Sequence, residues 1–154
     1  MSKSHNLTPL VQADVRTLSR QAIDWLIAQL EDQPVQFDGV DLRYGPGQFS
    51  DEGIYSPSSD PMLGHELIER EKIQLRHVDS PGHTFHGLWM AKDALFRPTD
   101  KSVDWVPFGK SYTTLEKGYL TGPTALIAAL RFHIAKQKGL VVEIPECMSQ
   151  LPPA

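Results

Sequence analysis

The chain has 154 residues, 40% hydrophobic and 22% charged, with a net charge of −4. That length and apolar content suit a single domain with one hydrophobic core. The acidic balance disfavours nonspecific nucleic-acid binding, which needs a basic surface to displace counterions. The single cysteine, Cys147, excludes an internal disulfide and fits a reducing cytoplasm.

No apolar run approaches the roughly 20 residues that a membrane span needs. The opening residues Met1 to Asn6 lack the apolar stretch of a secretory signal. Residues 17–146 are expected to form a single domain between a flexible arm at residues 1–16 and a frayed tail at residues 147–154.

Leu18, Ala22, Ile23, Leu26, Ile27 and Leu30 recur at three- and four-residue spacing and predict a helix from Leu18 to Glu31. Thr17 or Ser19 can cap its start, and Pro34 blocks its continuation. The same periodicity puts Asp24 and Gln29 on the wetter side and Trp25 at the edge of the apolar stripe. Val35 to Phe37 and Val40 to Leu42 alternate as strands do, around an Asp38-Gly39 turn signal. Ile73 to Val78 alternates as a half-buried strand, Ser80-Pro81-Gly82-His83 is a turn, and Thr84 to Ala91 returns as the second arm of a hairpin. A polar connection over residues 92–101 and a further strand at Val103 to Val106 follow.

Gly122-Pro123-Thr124 opens a second helix with proline in its first turn. Leu126, Ile127, Leu130, Ile134 and Ala135 form its apolar face, Arg131 falls at its solvent edge, and Gly139 stops it. Lys136 and Lys138 complement its negative end. Val141, Val142 and Ile144 then run extended to Pro145. Helix, short strands, helix is the order of an α+β fold: an antiparallel meander with two main helices packed on it.

Tyr55-Ser56-Pro57-Ser58-Ser59-Asp60 is a rigid, hydroxyl-rich turn. Ser56, Ser58, Ser59 and Asp60 offer a polar ligand donors and acceptors, and Tyr55 offers a stacking ring. The same groups serve equally well to satisfy the backbone of an ordinary capped loop. Glu69-Arg70-Glu71 is either a solvated ion-pair cluster or an arginine held by its neighbours to grip an anion. The helix start at Gly122 and Thr124 presents N–H groups that attract phosphate, as every helix start does. Trp89, if it lies beside Tyr55, would stack on a nucleobase; otherwise it belongs, with Trp105, to the sheet core or its rim.

Neither metal nor cofactor is expected. His83 and His86 point to opposite faces of an extended segment, and His-Glu-x-x-His is absent. Gly-x-Ser-x-Gly, Gly-x-Gly-x-x-Gly and the phosphate-loop motif are also absent. Nothing beside Cys147 lowers a thiol pKa. Asp60, Glu66, Glu69 and Glu71 can in principle supply an acid–base pair, but surface carboxylates at this density need no such role. Binding is expected, not turnover.

Three blocks carry a likeness to a known family. They are Ala22-Ile23-Asp24-Trp25; Tyr55 to Asp60 with Leu67-Ile68-Glu69-Arg70-Glu71; and Gly122-Pro123-Thr124 with Leu126-Ile127-Ala128-Ala129 and Val142-Glu143-Ile144-Pro145-Glu146. In these the chain resembles the NinX-like proteins of tailed bacteriophages, accessory proteins of uncharacterised function. It departs from them at Pro61, where the family has tryptophan, at Met62-Leu63-Gly64-His65, and in expansions at residues 37–53 and 92–118. The resemblance implies an α/β sandwich-like fold and a place in the cytoplasm of the infected bacterium. With the polar turn, the arginine and the helix start, it leads to an expected homo-oligomer that sequesters a small anionic, nucleotide-type defence signal. The alternatives are an interaction module that inhibits a host or phage protein and, third, a hydrolase of nucleotide signals.

Overall fold

The structure is a computed structural model that describes residues 7, 9–45, 53–93 and 119–154. Among these, the strands are β1 (Leu10–Asp14), β2 (Val35–Phe37), β3 (Leu42–Tyr44), β4 (Ile73–His77), β5 (Trp89–Asp93), β6 (Tyr119–Gly122) and β7 (Val141–Pro145). The helices are α1 (Arg20–Leu30), α2 (Pro61–Glu71), α3 (Ala125–Lys138) and the short α4 (Glu146–Ser149). Every strand pairing is antiparallel, so the chain has the expected α+β fold. The meander is confined to β4–β5–β6, while β1–β7 and β2–β3 form two separate ribbons.

The core is built around α3. All nine residues from Ile127 to Ala135 are buried, Arg131 and His133 included. One side of this helix packs on the three-stranded sheet, and α1, α2 and β7 cover the others. A helix enclosed on several sides keeps no solvent edge, which is why Arg131 is only 6% exposed. It donates from Nη1 to the Thr121 carbonyl at 2.9 Å. Thr124 caps α3 by accepting from the Ile127 N–H at 3.1 Å, so Pro123 precedes the cap instead of occupying the first turn. At the other end Gly139, with φ of +91°, supplies the left-handed geometry that stops the helix. Ser19, one of the two expected caps, opens α1 by accepting from the Ala22 N–H at 3.1 Å.

The described residues of both expected loose ends are folded. Residues 10–14 of the arm form β1, which pairs with β7 from Leu10↔Pro145 to Asp14↔Val141 and satisfies a backbone edge that β7 otherwise leaves open. At the other end, α4 buries Met148 to 1% exposure, and the Ala154 N–H donates to the Leu18 carbonyl at 2.9 Å. Arg131 Nη2 donates to the Ala154 carbonyl at 3.2 Å. The Ala154 amide is accordingly expected to be protected in hydrogen exchange. Exchange at the free-chain rate would show a frayed tail.

Two further expectations change, and one helix, α2, is an element that the sequence pattern does not predict. β4 pairs with Trp89–Asp93, and residues 78–88 form a loop of successive turns where a tight hairpin was expected. Two imidazoles hold that loop: His86 Nδ1 accepts from the Ser80 N–H at 3.0 Å, and His83 Nδ1 from the Phe85 N–H at 2.9 Å. Phe85 turns inward to a small cluster with Val78 and Tyr119. In the β2–β3 hairpin, Val40 lies in the turn at 67% exposure, not in a strand. Finally, the Glu69-Arg70-Glu71 cluster lies at the end of a helix, α2, which Asp60 caps and Lys72 ends in the left-handed region at φ 54°. The expected strand at 103–106 lies outside the described residues. No helix among those described is long and apolar enough to cross a membrane.

Candidate functional site

The serine-rich turn faces inward, toward Asp24. This aspartate, expected on the wet side of α1, is 1% exposed. Its Oδ1 accepts from the Ser58 N–H at 2.8 Å, and its Oδ2 accepts from the Ser58 hydroxyl at 2.9 Å and the Ser56 hydroxyl at 3.3 Å. Ser56 also shares a hydrogen bond with Ser59 and accepts from Arg20 Nη1 at 3.4 Å. Burial pushes the Asp24 carboxyl up to about 7, against the opposing pull of Ser58, Arg20 and Ser56. Asp60 accepts from the Met62 N–H at 3.0 Å as the α2 cap. The turn's polar groups therefore tie α1 to the start of α2.

Tyr55 is 5% exposed and meets Tyr44 edge-on, with ring centroids 5.3 Å apart. Arg70 grips an anion bidentately, but the anion is the protein's own. Its Nη1 and Nη2 donate to the two Glu31 oxygens at 2.7 and 2.8 Å, and its Nε donates to Glu71 at 2.8 Å. Those carboxylates hold the guanidinium firmly charged. Glu69 faces solvent, 3.8 Å from His65. Beneath this cluster lies His133, 4% exposed, which burial holds below the usual imidazole range.

Tyr55 and Arg70 do line one shallow cleft, of about 220 Å³, but Trp89, Gly122 and Thr124 lie elsewhere. Trp89 is half-buried opposite His77 and Gly122 in the sheet, its ring 5.1 Å from the His77 ring. Gly122 lets β6 approach α3: a Cβ there would lie 2.6 Å from the Ala128 nitrogen. Thr124 spends its hydroxyl on the α3 cap.

A larger cleft, about 610 Å³, opens on the sheet face turned away from α3. Arg76 pairs with Met90, and Lys92 with Tyr119. Cross-strand partners share a face, so these four side chains form one wall and Arg76 and Lys92 are diagonal neighbours. The loop supplies the opposite wall through Val78, Asp79, Ser80 and His83. Because His83 Nδ1 accepts a backbone N–H, its neutral ring carries the proton on Nε2, as a further donor. Neither Arg76 nor Lys92 has an ion-pair partner among the described residues. Two cations without ion-pair partners among the described residues, a hydrogen-bonding loop and the apolar surfaces of Met90 and Tyr119 can together hold an anion with a flat or aliphatic body.

Comparison with models of protein families gives no match, and comparison with curated proteins gives none either. The sheet-face residues escaped sequence reasoning because they converge only through strand register. Alternation already placed Arg76 on the water face of β4. Nothing local to Arg76 identifies Lys92 as its neighbour.

Proposed function

We propose that this protein binds a small anionic, nucleotide-type ligand in the sheet-face cleft and withholds it from other proteins. The observation that carries this reading is the pair Arg76 and Lys92, diagonal on one sheet face and without an ion-pair partner among the described residues. A volume of about 610 Å³ falls within the range of small-molecule sites. Asp79 and Ser80 add acceptors for sugar hydroxyls or an exocyclic amine, and Tyr119 and Met90 offer apolar surface to a base. In the setting that the resemblance implies, the ligand is a defence signal in the cytoplasm of an infected bacterium. The protein there acts as a homo-oligomer.

A panel of cyclic and ADP-ribose-type nucleotides tests the proposal. At least one is expected to raise the Tm and to be recovered intact after denaturation. Arg76→Ala and Lys92→Ala are each expected to weaken binding about tenfold, the order of one charge-assisted hydrogen bond at a half-open site. No thermal shift across the panel would sink the reading, and altered nucleotides after incubation would make the protein a hydrolase. The interaction-module reading draws on Leu10 and Val141, 43% and 61% exposed on one face of the β1–β7 ribbon. It predicts a stable partner in a pull-down and no response to nucleotides.

A further inference from the structure

The small cleft between α1, β3 and α2 shares no residue with the sheet-face cleft, and its charge has the opposite sign. Glu31, Glu66 and Arg70 line it. The one cation among them is already neutralised, by Glu31 on one side and Glu71 on the other. Glu66 has no ion-pair partner among the described residues, so the mouth of the cleft carries an uncompensated carboxylate. An anion placed there would meet net negative charge. The cleft is also about 220 Å³, below the usual size of a nucleotide site.

A second observation points to a ligand. Tyr55 is 95% buried by its 5% exposure, yet its hydroxyl makes no hydrogen bond among the described residues. That hydroxyl is not sealed from solvent, since Arg131 Nε is the fully buried side-chain polar atom without a partner among the described residues; the hydroxyl opens onto the cleft, where it can accept from a ligand. Burial, with the charges of Asp24 and Glu31, pushes this phenol upward, so it stays a neutral hydroxyl with lone pairs to offer. The walls around it are apolar, from Ile27, Leu63 and Leu67, and the edge-to-face pair of Tyr44 and Tyr55 gives an aromatic side. Aliphatic walls, a tyrosine oxygen, aromatic rings and a free carboxylate suit a cation on a short hydrocarbon stem.

We propose that this cleft is a second ligand site, which takes a primary ammonium group on a short aliphatic stem. The ammonium donates to the Tyr55 oxygen and is neutralised by Glu66, while the stem lies against Leu63 and Leu67. Such a group is found on a free amine or on a lysine side chain of another polypeptide.

The test is an NMR titration of the full chain with n-butylammonium, sodium butyrate and n-butanol at matched ionic strength. The expected result is a saturable shift of the Tyr44 and Tyr55 ring resonances with n-butylammonium, at least fivefold tighter than with either control. Glu66→Gln should weaken it at least fivefold. Tyr55→Phe, which keeps the ring and removes the hydroxyl, should weaken it as well. No saturable shift, equal binding of butyrate or butanol, or unchanged affinity in Glu66→Gln would each overturn the site. N-acetyl-lysine-N-methylamide distinguishes the two sources. Tighter binding than n-butylammonium assigns the site to a lysine side chain and weaker binding to a free amine, and either order supports it.

Discussion

Asp24→Ala is expected to destabilise the fold by about 3 kcal/mol, because it strands the Ser58 N–H and the Ser58 hydroxyl in a buried place at roughly 1–3 kcal/mol each. The Ser56 hydroxyl loses less, since Ser59 and Arg20 remain beside it. Urea denaturation would measure the loss, and a change below about 0.5 kcal/mol would place the turn among ordinary surface loops. A pH series separates the hydrogen bonds from the charge. Burial pushes the folded carboxyl up to about 7, from an ordinary aspartate value of 3.8. The native state therefore holds the extra proton between those limits, and the contribution is full at low pH and fades as pH rises toward 7. Asp24→Asn keeps the shape and removes the titration. Wild-type stability minus that of the Asn variant is expected to fall as pH rises from 4 to 8, by roughly 4 kcal/mol at most. A difference that stays constant would show that Asp24 is ionised throughout.

The same residue marks where sequence reading stops. The periodicity of α1 was legible, with its Ser19 cap, and so were the Gly139 stop of α3 and the extended run of β7. Each depends on residues a few positions apart. Asp24 and Arg131 were placed toward water because a single apolar stripe implies a single buried face. Both helices are covered on more than one side, and their polar residues are buried with partners distant in sequence, Ser58 for Asp24 and Thr121 for Arg131. α2 was hidden for the converse reason: only Gly64 and Leu67 of its eleven residues are buried, so it has almost no stripe to detect. The Tyr55–Asp60 turn was recognised as polar and structured. Whether its hydroxyls faced a ligand or the protein depended on where α1 would lie. Arg76 and Lys92 were invisible as a pair for the same reason, since their proximity follows from the β4–β5 register across the loop at residues 78–88.

Gly122→Ala is expected to cost about 3 kcal/mol, the upper end of ordinary overpacking, because the obstacle is backbone. The added Cβ would sit 2.6 Å from the Ala128 nitrogen and 3.0 Å from its Cα, and relief requires β6 to move away from α3. Gly64 provides the comparison. Its Cβ would lie nearer still to a neighbour, 2.2 Å, but that neighbour is the Leu126 Cδ2, the end of a side chain that can rotate. Gly64→Ala is therefore expected to cost only about 1 kcal/mol, even though its nominal clash is worse. Thermal and urea unfolding of the two variants would order them, and the reverse order would show that α3 and β6 are not packed as closely as described. The result also decides what Gly122 is for. A glycine kept to let a phosphate approach the α3 start would tolerate a methyl group in the free protein and lose affinity alone. A glycine kept for strand–helix contact loses stability with no ligand present. The distance to Ala128 favours the second, and with it a site on the outer face of the sheet, away from the helix start.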